Sequence, residues 1–190
     1  LIPYFHLKAH FMRLRISSLI AVAVTAMCAS SSVFAIDTVS LEFATGNKTK
    51  MLRLGLQSAW SNQWFSSNGT HVGGYWDYTL AQWRGSNFEG KGGTQNLTDI
   101  GVTPVFRFQN DSKKGVYGEA GIGLHMLSEI YDNNSRHFST NFQFGDHIGV
   151  GYVTKDGWDL SFKIQHYSNG GVKHPNPGVN FAVLKAGYAF

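Results

Sequence analysis

From Val39 onward the chain is written in period two. Val39, Leu41 and Phe43 alternate with Ser40 and Glu42, and Leu52, Leu54 and Leu56 share one row of residues 51–60. Ile100, Val102, Pro104, Phe106 and Phe108 form another apolar row, set against Thr103, Val105, Arg107 and Gln109. Successive strand residues point to opposite faces, so each stretch has two rows with different surroundings. The same alternation predicts eight strands in all. They begin near Val39, Met51, His71, Ile100, Val116, Phe138, Leu160 and Asn180. Gly46-Asn47-Lys48, residues 66–69, 110–115 and 155–157 are expected turns, and residues 84–95 and 132–135 longer polar loops. Pro104 lacks an N–H and costs its strand a ladder bond wherever one is required.

The second row is as informative as the first. Arg107, Glu119, His125, Asn141, Gln143, Lys163 and Lys185 all fall on odd positions opposite apolar even ones. A soluble sandwich buries one apolar face and has no need of an ionisable face throughout. A small membrane barrel needs both, an apolar wall and an interior filled by side chains. Each stretch has roughly the 9–11 residues of a tilted membrane strand. The expected fold is therefore all-β, an eight-stranded antiparallel up-and-down transmembrane β-barrel.

Composition adds an address. Met12-Arg13-Leu14-Arg15, the apolar run at residues 19–27 and Val33-Phe34-Ala35 form the three parts of an export signal. Residues 1–11 are expected to precede the true start. Residues 1–35 then form a removed leader, and residues 36–190 the single barrel domain. The leader takes Lys8, Arg13 and Arg15 with it and leaves the rest nearly neutral, so the formal charge of +4 argues for no nucleic-acid partner. Cys28 is the only cysteine and lies in the leader, which excludes disulfide and thiolate chemistry from the mature chain. No His/Asp/Glu cluster has metal-ligand spacing, and no cofactor is expected.

Candidate chemistry lies near the end of the chain. In residues 160–169 the even row is Leu160, Phe162, Ile164, His166 and Ser168. A histidine and a serine thus continue the lipid-facing row, roughly 6–7 Å apart at Cα. An imidazole at that spacing can serve a serine hydroxyl as base. Parity offers two groups to orient it, Asn180 on the following strand and Asp146 on the preceding one. Glu119 faces inward and is excluded. Asn169 and Asn176, in the Gly/Asn/Pro-rich loop, carry amides suited to an oxyanion.

The segment His166-Tyr167-Ser168-Asn169-Gly170-Gly171-Val172-Lys173-His174-Pro175-Asn176-Pro177-Gly178 resembles the active-site segment of the lipid A 3-O-deacylases, the PagL-type outer-membrane esterases. Residues 74–77, 103–106, 119–123 and 141–146 resemble other family segments in family order. The resemblance implies an eight-stranded outer-membrane barrel that hydrolyses the 3-O-linked acyl chain of lipid A. It implies Ser168 as nucleophile, His166 as general base, Asn176 in the oxyanion hole with Asn169 beside it, and Phe144 lining the site. At position 180 the family pattern has Glu, whereas this chain has Asn180. The terminal Phe190, with Tyr188 two residues before it, resembles the signature that the barrel assembly machinery reads. Lipopolysaccharide and outer-membrane lipid are the implied partners, and a homodimer is a further candidate assembly. The competing functions are a non-enzymatic structural or adhesion barrel, and a phospholipase or lipid A acyltransferase.

Overall fold

The computed structural model describes residues 35–190. The expected leader lies outside the described residues, except for Ala35. Eight long strands form the wall: β1 (Thr38–Gly46), β2 (Thr49–Ala59), β3 (Thr70–Phe88), β4 (Gly93–Asn110), β5 (Gly115–Leu127), β6 (Phe142–Val153), β7 (Trp158–Ser168) and β8 (Val179–Ala189). Each pairs antiparallel with the next, and β8 pairs with β1, which closes the cylinder. Closure leaves no strand edge to be satisfied by lipid, the condition for crossing a bilayer with strands.

The two rows separate as the alternation requires. Leu41, Leu54, Phe108, Ile122, Ile148, Phe162 and Leu184 are exposed on the outer wall, while Arg53, Arg107, Glu119, His125, Lys163 and Lys185 are buried in the lumen. These six lumen groups are paired. Glu42 accepts from Arg53 at 2.7 Å and from Lys163 at 2.6 Å. Arg107 donates to Glu119 at 2.8 Å and Asp159 at 3.1 Å, and Lys185 donates to Asp159 at 3.0 Å. Pairing is what permits ionised groups away from water. Toward the other end the lumen turns apolar, with Met51, Trp83, Leu127, Tyr131, Phe138, Tyr167 and Phe181 packed into one cluster. This cluster lies at the end opposite Thr38 and Ala189.

Several sequence expectations need correction. β3 and β4 run on to Phe88 and from Gly93, so the loop expected over 84–95 shrinks to residues 89–92. β6 begins at Phe142, and Phe138 belongs to the loop before it, folded into the lumen cluster. Asn141 is likewise a loop residue, donating to the Leu127 carbonyl at 3.0 Å. Trp64–Ser67 adds a short strand on the β2–β3 connection, and Asp132–Asn133 and Arg136–His137 form a small hairpin before β6. Pro104 is accommodated without a shift: Val102↔Leu124 and Val105↔Gly121 keep one register, and the ladder skips the two positions between them, Thr103 and Pro104.

Candidate active site

The site sits where β7 leaves the wall. The tight turn after β6 fixes the pairing, so His166 stands opposite Asp146 on one side and Asn180 on the other. Ser168 stands opposite Phe144. Ile164 below His166 is exposed, whereas Gln165 and Tyr167 are buried in the lumen. His166 and Ser168 therefore project from the outer wall, both half-buried.

The imidazole is held at one nitrogen. His166 Nδ1 lies 2.5 Å from Asn180 Oδ1. A carbonyl oxygen only accepts, so Nδ1 carries the proton and donates, leaving the Nε2 lone pair free to act as base. The other edge of the ring lies against Gly178, at φ +60. A Cβ there would come within 2.8 Å of Nε2 and closer still to Cε1. Asp146, though opposite in register, makes no hydrogen bond to the ring among the described residues.

The structure gives Ser168 a different partner. Its Oγ accepts the Gly170 N–H at 3.4 Å, and no hydrogen bond joins it to His166 among the described residues. Phe144 lies alongside, its ring in edge contact with Phe142 at 5.1 Å and against Gly170.

The loop that follows is built by its asparagines. Asn169 is 1% exposed, and its amide donates to Ser139 Oγ at 2.9 Å and to the Lys173 carbonyl at 2.7 Å. Its Oδ1 accepts the Gly171 N–H at 2.9 Å. Both amide hydrogens are thus committed, which leaves the side chain none for an oxyanion and makes it the loop's organiser. Asn176 differs. Its Oδ1 accepts the Asn169 N–H at 3.0 Å, which leaves its amide nitrogen uncommitted among the described residues. Arg136 and Ser139 brace the loop from the neighbouring connection, donating to Pro177 O at 2.6 Å and Lys173 O at 2.8 Å.

Behind the wall, Tyr167 anchors the segment between the two outward residues. Its hydroxyl accepts from Arg53 and donates to Asp99 at 3.2 Å. Its ring packs edge-on against Trp83 at 4.7 Å. Sequence reasoning missed Gly170, Gly178, Arg136 and Ser139. Only the glycines carried a signal, as turn residues, and nothing in the sequence pointed either of them at the serine or the imidazole.

Ser168 and His166 project from the same face of the barrel wall, with the Asn180 amide at the imidazole and loop N–H groups beside the hydroxyl. Comparison with known proteins agrees in fold and in family. The family model for lipid A 3-O-deacylase (PagL) matches residues 50–189. A lipid A deacylase PagL of Pseudomonas aeruginosa is 32% identical over 151 residues, covering 78% of this chain and 83% of that protein. A lipid A deacylase PagL of Bordetella bronchiseptica is 29% identical over 158 residues, covering 80% and 83%. A crystal structure of the outer membrane enzyme PagL matches with a TM-score of 0.71 and 26% identity, over 80% of this chain and 99% of that one. The chain belongs to the lipid A 3-O-deacylase (PagL) family.

Proposed function

We propose that this outer-membrane barrel enzyme hydrolyses the 3-O-linked acyl ester of lipid A through Ser168 and His166. As a family member the chain is a lipid A deacylase of the outer membrane; the residues that do the work are our own assignment. The observation that carries it is the outward Ser168–His166 pair with its Nδ1–Asn180 bond. A site on the outer wall meets lipid rather than soluble metabolites. With Thr38 and Ala189 at one end and the site at the other, the usual barrel orientation sets the site level with the outer leaflet, where lipid A lies.

The hydroxyl of Ser168 turns toward Nε2 and donates to it once the ester is in place, a bond absent from the free enzyme. His166 Nε2 takes the proton as Oγ attacks the acyl carbonyl. The charge that develops on the carbonyl oxygen is held by the Asn176 amide and the Gly170 N–H. The C–O bond to the sugar breaks, and His166 returns its proton to the departing 3-hydroxyl. Water then gives a proton to His166 as its oxygen attacks the acyl-serine. The fatty acid leaves, and the proton goes back to Ser168. Asn180 holds the ring in one tautomer throughout, and Phe144 lines the approach.

The test is mass spectrometry of lipid A incubated with the purified protein. One 3-O-acyl chain should be lost, and Ser168→Ala should abolish that loss while the folded barrel keeps its heat-modifiable mobility. A Ser168→Ala protein that still removes the chain would refute the assignment.

A further inference from the structure

The mechanism leaves one acidic group at the site unused. Asp146 on β6 faces His166 in register just as Asn180 does on β8, so the imidazole lies between an amide on one strand and a carboxylate on the other. Residues directly opposed on antiparallel strands are about 4.5–5.5 Å apart at Cα, and their side chains share one face. Asp146 is half-buried on the lipid-facing row, with Ile122 opposite it on β5 and Ile148 two residues along β6. Among the described residues it has no hydrogen bond and no ion pair. A lone carboxylate bordering an apolar wall is costly, and such groups mark function.

The neutral Asn180 fixes the tautomer of His166 but cannot balance the positive charge that the ring acquires on taking the Ser168 proton. We propose that Asp146 supplies that charge from the opposite strand, so that the two duties of a triad acid are divided here between Asn180 and Asp146. Asp146 acts through His166 and is a positioning residue with an electrostatic role. The inference rests on the reading of His166 as the base. It predicts an effect on kcat with little on KM, because the imidazolium exists only after the proton has moved.

The experiment is a cycle on the purified full-length barrel in neutral detergent: Asp146→Asn, Asn180→Glu and the pair together. Two readouts are taken, lipid A deacylation with kcat and KM separated, and the rate at which a fluorophosphonate labels Ser168. Asp146→Asn should slow both about thirtyfold beside Asn180, the scale of one partly screened charge pair. Beside Asn180→Glu, which returns an acid to the other flank, the same change should cost less than about threefold. Asp146→Glu, which keeps the charge, should stay within about threefold of the parent. An equal loss in both backgrounds, or no loss beside Asn180, overturns the proposal. If Asp146→Asn fails to give a heat-modifiable barrel, Asp146→Ser repeats the cycle with a smaller neutral side chain. A parent that labels at Ser168 yet leaves lipid A intact defeats the proposed function, while the labelling rates still decide the role of Asp146.

Discussion

Gly178→Ala is the sharpest single perturbation of the site. Two effects add at this position. The backbone stands at φ +60, where an alanine costs about 1–2 kcal/mol. Its Cβ also lands 2.4 Å from His166 Cε1 and 2.8 Å from Nε2, tighter than an ordinary contact of 3.4 Å or more, so the ring has to retreat by up to about 1 Å. The ring is also held at Nδ1 by a 2.5 Å bond to Asn180, and moving it away from the added carbon disturbs that bond. A displacement approaching 1 Å at a catalytic base costs about 10²-fold. We therefore expect kcat for lipid A deacylation to fall about 30- to 100-fold, with KM nearly unchanged and the barrel folded. Gly171→Ala is the control. It stands at φ +82 with no atom within 4 Å of the added carbon, so it carries the strain without the collision. If the two variants lose rate equally, the loss belongs to loop strain, and the argument that Gly178 seats the imidazole is refuted.

The remaining predictions address the orienter and the lumen. Asn180→Ala removes the only acceptor at His166 Nδ1 among the described residues and should lower kcat about 10²-fold, more than Asp146→Asn does; the reverse ranking in the same kinetic assay would make Asp146 the orienter. Glu42→Gln leaves Arg53 and Lys163 short of a buried counter-charge and should destabilise the barrel by about 3–5 kcal/mol in urea unfolding from lipid vesicles. A loss under about 1 kcal/mol would mean that water already screens that pair.

How much of this was legible in the sequence follows from where the alternation persists. Within the apolar belt the two faces of each strand see lipid and lumen, so parity alone assigns Arg107, Glu119, Lys163 and Lys185 inward and His166 and Ser168 outward. The register at the site was readable too, because the turn between β6 and β7 is short enough to leave only Phe144 or Asp146 opposite His166. Beyond the belt that contrast disappears. Residues 84–88 and 93–96 lie within strands, yet their mostly polar residues and glycines carry no apolar row and so no period-two signal. Phe138 was misplaced for the converse reason. Its hydrophobicity is satisfied by Tyr131 and the lumen cluster rather than by lipid, and the two environments select the same residue type. The family resemblance set Asn176 in the oxyanion hole with Asn169 beside it, but residue type alone did not separate the two. Two asparagines in a Gly/Pro-rich stretch look alike, and only the closure of one onto Ser139 and Lys173 separates them.

The proposed serine chemistry on a lipid-facing wall faces a difficulty that soluble hydrolases do not. Outside the protein there is hydrocarbon, which offers no hydrogen bonds to steady a catalytic side chain. The period of the strand supplies the remedy. Between and around the outward residues stand Gln165, Tyr167 and Asn169, each turned inward and each tied. Gln165 accepts from Arg53 at 2.8 Å, Tyr167 bonds Arg53 and Asp99, and Asn169 bonds Ser139 and Lys173. The backbone that carries His166 and Ser168 is thereby fixed from behind, by groups that are themselves buried and paired. A slip of one residue in the β7 pairing would carry the serine and histidine into the lumen and set Tyr167 and Gln165 against lipid, at the cost of every one of those bonds. The lumen network thus specifies which face of β7 meets lipid, and the chemistry on the outer wall depends on that choice.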